Sequence, residues 1–282
     1  MFLRKGGAMT IKKKRHHYVW QHYLSLWTTD GKIWCLRDGK RFETATVNIG
    51  QERYFYKVEE LTTQDIEYIM VLAVNQSKGF LRQANEGWVH TFQQVFKSRD
   101  AMIAMGISKD NLEELMDLAL TNIEEDFHSM IEGESAKYLA KLRAGDIEFL
   151  SVEDDRMSFF HFLCVQYLRT KNIKEAILKN MSSIPQLSNI NMSGCWSVMR
   201  HIFATNMAFS LITGREKYIP VILRTSGTTK FIAGDQPVIN THAVAAGKGN
   251  IPKKTEFYYP VSPDIALLIT DDPAQVGTGE WA

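Results

Sequence analysis

Phe159-Phe160-His161-Phe162-Leu163-Cys164-Val165-Gln166-Tyr167-Leu168-Arg169-Thr170 is apolar almost throughout and closes on a polar pair, Gln166 and Arg169. From Met157 to Leu168 only Ser158, His161 and Gln166 are clearly polar. A helix that is apolar on nearly every face belongs inside a molecule, not on its surface. Phe162, Gln166, Arg169 and Ile173 follow at intervals of four, three and four, which puts them on one helical stripe. If Arg169 points inward, an acidic side chain or a bound anion has to meet it. A buried guanidinium without a partner costs roughly 3–5 kcal/mol. The plainer alternative is that Arg169 caps the helix end and snorkels to water, with Gln166 satisfied by backbone.

The segments on either side set this helix in a helical middle. Ser151-Val152-Glu153-Asp154 reads as a capping-box-like start for it, and Lys171, Lys174, Glu175 and Lys179 as its exposed, charged continuation. After a linker over 185–191, a second strongly apolar helix is predicted over 194–213, stopped by Gly214. Upstream, Thr62 or Thr63 caps a helix starting at Gln64, and 80–96 reads as helical through Trp88, Phe92 and Phe96. Ser108 opens a long amphipathic helix through Leu112, Leu115 and Phe127, with Glu124, Glu125 and Asp126 on its polar side. Gly133 is expected to end it, and a further short helix follows over 135–142.

Strand patterns lie towards both ends. Asp38-Gly39 between β-prone runs predicts a hairpin, Lys32–Arg37 with 41–47. From Tyr218 onward, short runs over 219–223, 230–233, 238–241, 256–259 and 265–270 read as strands. The glycine-rich 246–250 reads as a mobile loop; it lacks the Gly-x-x-x-x-Gly-Lys-Ser/Thr pattern of a phosphate loop. The expected fold is therefore α+β: a helical core packed with a small antiparallel sheet formed by the N-terminal hairpin and the C-terminal strands. Residues 1–15 are expected to be a flexible basic arm, carrying Ile11-Lys12-Lys13-Lys14-Arg15, and 16–282 a single domain. Met9 offers an alternative start to Met1.

Composition narrows the function classes. Of 282 residues, 45% are hydrophobic and 23% charged, and the formal net charge is +1, so no overall field favours nucleic acid or membrane. No run of about 18 apolar residues predicts a membrane span. Cys35, Cys164 and Cys195 have no metal-type spacing, and their odd number fits free thiols in a cytoplasmic setting. His16, His17 and His22 are close together but lack His-Glu-x-x-His or paired Cys/His spacing, so neither metal nor cofactor is expected. A Gly-x-Ser-x-Gly elbow is absent too. Asp235, at a strand end before Pro237, is the expected acidic partner of Arg169, in a charge-assisted pair.

Five separated pieces occur in order: His16-His17-Tyr18-Val19-x-Gln21-x-Tyr23-Leu24, Glu52-x-x-Phe55-Tyr56, Phe162-Leu163-x-x-Gln166-x-x-Arg169-Thr170, Phe231-Ile232-x-x-Asp235-x-Pro237-Val238, and Tyr259-Pro260-Val261-Ser262-Pro263. Together they resemble a bacterial family known only as a domain of unknown function. Trp20 stands where that family usually has proline, and the family pattern would add a helical segment after the last strand. The resemblance implies no activity, only that the His, Gln, Arg and Asp positions belong together.

The resulting expectation is a cleft holding His17, Arg169 and Asp235 as catalytic groups, with His16, Gln21 and Gln166 binding substrate. His17 would act as general acid/base, Asp235 would orient it or the arginine, and Arg169 would hold a phosphate or carboxylate. The reaction expected is metal-independent phosphodiester hydrolysis, with nucleic acid or a nucleotide as partner. The alternatives are a binding module without turnover, for a nucleotide, small anion or protein, and an interaction subunit in which these residues are only structural.

Overall fold

The computed structural model describes residues 11–247, 252 and 254–272. The first elements among the described residues are β1 (Arg15–His17) and a one-turn helix α1 (Gln21–Leu24). A small sheet follows, from β2 (Thr28–Thr29), β3 (Lys32–Arg37) and β4 (Lys40–Ala45), and then β5 (Gln51–Arg53). Asp38 and Gly39 both take positive φ, 50° and 74°, as a two-residue hairpin turn requires, so β3 and β4 pair where the Asp-Gly signal puts them.

The helical middle comprises α2 (Thr63–Ile69), α3 (Gly79–Ala104), α4 (Lys109–Ala144), α5 (Glu153–Leu168), α6 (Lys171–Ser182) and α7 (Met192–Thr213). Thr62 caps α2 through a reciprocal box with Asp65. Asn191 caps α7 by accepting from the Gly194 amide. The C-terminal part adds β6 (Ile219–Arg224), β7 (Ile239–Asn240), the short α8 (Thr241–Ala246), β8 (Phe257–Pro260) and β9 (Ile265–Thr270).

The α+β class holds, with a different sheet arrangement. The N-terminal hairpin and the C-terminal strands lie in separate sheets: β2-β3-β4 in one, β6-β9-β8-β7 in another, and β1 paired with β5 alone. Every pairing is antiparallel. β9 explains the size of the C-terminal sheet. Its six residues are all buried, so it must be covered on both edges and both faces. The 230–233 run forms no strand; Phe231 instead bonds backbone to backbone with Pro263.

α5 and α7 form the core. Phe159, Phe162, Leu163 and Cys164 from α5 and Cys195, Trp196 and Ile202 from α7 are sealed from solvent. Gly133 does not end α4, which runs unbroken for 36 residues. A glycine inside a helix costs about 1 kcal/mol, a deficit that tertiary contacts on both sides readily cover. Buried Ile131, Glu132 and Ser135 provide them here. α5 also starts without its expected capping box, since Val152 is the cap residue and makes no side-chain bond. It stops at Leu168, one residue before Arg169, so Ile173 lies on α6 and leaves the stripe.

The N-terminal end of the 246–250 loop, through Gly247, is described; Lys248 to Asn250, Met9 and the residues after Asp272 lie outside the described residues.

Candidate functional site

β1 brings the histidine-rich segment to the core. It pairs with β5 in the register His16↔Glu52 and His17↔Gln51, and the Val19 amide bonds the Gly50 carbonyl at 3.0 Å. Strand alternation sends His16 inward, where it is fully buried. Its Nδ1 accepts from the Tyr56 amide at 2.8 Å, which leaves Nε2 to donate to the Lys13 carbonyl at 2.8 Å. Both ring nitrogens are thus committed, and His16 positions Tyr56.

Burial holds the His16 pKa below its ordinary value of 6.5, against the pull of the Lys13 carbonyl. The folded imidazole is neutral where the unfolded one takes up a proton, so its stabilisation is present above pH 6.5 and lost as pH falls. The loss amounts to up to about 1.4 kcal/mol per pH unit. Urea denaturation of wild type and His16→Asn at pH 7.5 and 5.5 measures it. The variant should lose less than wild type over that interval, by up to about 1.4 kcal/mol; equal losses would clear His16 of the role.

Arg169 is buried, and Glu132 is its partner. Nη1 donates to Glu132 Oε1 at 2.6 Å, Nε to the Tyr56 hydroxyl at 3.1 Å, and Nη2 to the His17 carbonyl. Tyr56 in turn bonds the Arg169 carbonyl at 3.3 Å. Burial alone would lower the arginine's pKa, but Glu132, Tyr56 and Glu125 hold it above the usual range. Glu132 itself is pushed up by burial, with Arg169 pulling the other way.

Asp235 takes no part in this pair. It is exposed and accepts from Asn172 Nδ2 at 3.4 Å. The loop reaches the interior through the next residue. Gln236 Nε2 donates to the Tyr167 and Val238 carbonyls, each at 2.9 Å, and Thr170 Oγ1 donates to Gln236 Oε1. Gln21 also stays outside, exposed and donating to Thr46 Oγ1 at 3.3 Å. His17 and Gln166 do border the buried cluster. His17 Nε2 is buried without a partner, the Gln166 side chain lies against the Glu132 carboxylate, and burial lowers the His17 pKa. The structure therefore joins His16, His17, Gln166 and Arg169, and leaves Gln21 and Asp235 at the surface.

The chemistry-bearing residues continue deeper, on α4 and α7. Glu124, His128 and Glu132 occupy successive turns of one α4 face, and all three are buried. Arg200 and His201 meet them from α7, both buried. His201 Nε2 lies 3.1 Å from Glu124 Oε1, His128 Nε2 3.7 Å from the same oxygen, and Arg200 Nη2 donates to it. Trp88 stacks on His201 at 4.5 Å and Tyr56 packs on His128 at 4.6 Å, which fixes the rings. Burial, then Arg169 and His201, keep His128 well below its usual pKa; burial and Arg200 do the same for His201. Glu125 is pushed up to about 7 by burial, against Arg169.

What marks this centre is its unmet polar atoms. Both ring nitrogens of His128, Nδ1 of His201, Oε2 of Glu124 and of Glu125, and Nε of Arg200 are buried without hydrogen-bond partners. Glu124, Glu125 and Asp126 read from the sequence as the polar side of the helix; of the three, only Asp126 is exposed, paired with Lys13 at 2.7 Å. Two signals were available: Glu-x-x-x-His-x-x-x-Glu at one-turn spacing, and an Arg-His pair inside the apolar 192–213 helix.

A family model described as "protein of unknown function (DUF4238)" matches residues 15–279. The chain belongs to this family. Comparisons of this DUF4238 member with curated proteins and with solved structures give no match. Among the described residues, no helix is long and apolar enough to cross a membrane.

Proposed function

We propose that this DUF4238 protein is a hydrolase whose working groups are His128, His201 and Glu124, with phosphodiesters as its substrate class. The observation that carries this reading is the set of unpartnered polar atoms converging from α4 and α7. Each buried, unmade hydrogen bond costs about 1–3 kcal/mol, a cost a fold bears where function needs the group. Imidazoles beside a carboxylate are suited to proton transfer. Arg200, with Nε unpartnered, offers a charged donor to a phosphoryl oxygen. Arg169 is a positioning residue in this reading: it ties β1, Tyr56 and α4 together and has no need of a ligand anion.

Enclosure favours a second reading, in which the centre binds a small ion without turnover. Two surface cavities, of about 150 Å³ beside Glu59, Phe96 and Gly194 and about 230 Å³ beside Ile147, Arg156 and Tyr218, are lined by none of the centre's residues. The test is to incubate the purified protein with RNA, DNA, nucleotides and bis(p-nitrophenyl) phosphate. Under the hydrolase reading, product forms and falls at least about 100-fold in His128→Gln, with fold checked by circular dichroism. No product from any substrate, or product unaffected by His128→Gln, overturns it.

A further inference from the structure

We propose that Glu124, His128 and His201 form a binding site for one divalent transition-metal ion, of the zinc class. Among the described residues, no other trio of His, Cys, Asp or Glu brings ligand atoms this close, all within 4.8 Å of one another. Ligand atoms about 2.0–2.1 Å from one tetrahedral ion stand roughly 3.4 Å apart. The 3.1 Å from His201 Nε2 to Glu124 Oε1 and the 3.7 Å from His128 Nε2 bracket that spacing. Two imidazoles and one carboxylate are a nitrogen–oxygen donor set that suits zinc and its neighbours over calcium or magnesium.

A second observation points to a ligand independently. His128 is 1% exposed, yet neither of its ring nitrogens has a partner. An imidazole sealed in a core is ordinarily hydrogen-bonded, as His16 is at both nitrogens. An ion accepts the lone pair that nothing else takes. Glu124 Oε1 has that ligand spacing to both imidazoles, and Oε2, unpartnered, is free to receive Arg200 when Oε1 binds the ion. The ligands come from two different helices, the usual way a helical core builds a metal site. On binding, the neutral His201 keeps its one ring proton on Nδ1, which leaves the Nε2 lone pair to the ion.

This inference shares its centre with the hydrolase reading, and the experiment separates the two. The full chain is stripped with chelator, and Zn²⁺ or Co²⁺ is titrated back. Metal content, visible Co²⁺ absorption and melting temperature are followed. One ion per chain is expected, with a raised melting temperature and affinity at least about 100-fold weaker in His128→Gln and His201→Gln. His90→Gln, an exposed histidine away from the centre, should bind as wild type does. X-ray absorption of the loaded wild type needs no variant. It should show two imidazoles and oxygen at about 2.0–2.1 Å. Failure to retain any ion, a sulfur shell, or undiminished affinity in both histidine variants overturns the site. Metal binding without hydrolysis supports the site and removes the hydrolase reading. Hydrolysis that persists in metal-free protein lacking any ion affinity does the reverse.

Discussion

Arg169→Ala should destabilise the protein by about 3–5 kcal/mol, the usual cost of removing one member of a buried ion pair. The loss is not the strength of one contact. Glu132 stays behind as a buried charge, and the His17 carbonyl and Tyr56 hydroxyl each lose a donor. Glu132→Ala should cost a similar amount, since it strands the guanidinium. Replacing both, as Arg169→Met with Glu132→Leu, removes the need for compensation. That double variant should be several kcal/mol more stable than the sum of the single losses, because apolar groups of similar volume often replace a buried pair at little cost. Arg169→Lys is no rescue, since an ammonium cannot reach Glu132, Tyr56 and His17 with one planar fork. Asp235→Ala is the decisive control. An exposed carboxylate 3.4 Å from an asparagine amide should cost no more than about 0.5 kcal/mol. Urea denaturation reads all of these. A loss in Asp235→Ala equal to that in Glu132→Ala would overturn the assignment of Glu132 as partner.

The same comparison shows what the sequence could and could not convey. The apolar run before Arg169 made an inward guanidinium one of two readings, the other being a helix cap turned to water. Which acid meets it does not follow. Asp235 was favoured by the turn chemistry around Pro237, a local signal. Glu132 lies beside a glycine that read as a helix end, and only the continuity of α4 carries it into the core. The hairpin at Asp38-Gly39 was legible because its turn demands positive φ at two adjacent residues, which an Asp-Gly pair readily adopts. The separation of the sheets was not, since strand partners are chosen by long-range packing, here by the need to cover β9. The Glu124–His128–His201 centre hid for a related reason. A charged stretch on an amphipathic helix ordinarily faces water, and His201 sits 77 residues away from Glu124 in the chain.

Arg200 gives the second large effect, and its sign depends on whether metal is present. In metal-free protein, Arg200→Met leaves the Glu124 carboxylate beside two imidazoles that burial keeps neutral. A loss of about 3–5 kcal/mol is expected, as for Arg169. Arg200 also places a positive charge on the carboxylate that the proposed ion would share. At a few ångströms and an effective dielectric near 20, two like unit charges repel by about 3–4 kcal/mol, and a divalent ion is repelled more. Removing the guanidinium should therefore tighten zinc binding at least about tenfold, equivalent to about 1.4 kcal/mol. By linkage, saturating zinc should restore more stability to Arg200→Met than it adds to wild type. Isothermal titration of the metal-free proteins and urea denaturation with and without zinc measure the two sides of that cycle. Weaker zinc binding in Arg200→Met would show that Glu124 must be held by Arg200 to act as a ligand. In that case orientation outweighs repulsion, and Arg200 belongs to the site as its positioning residue.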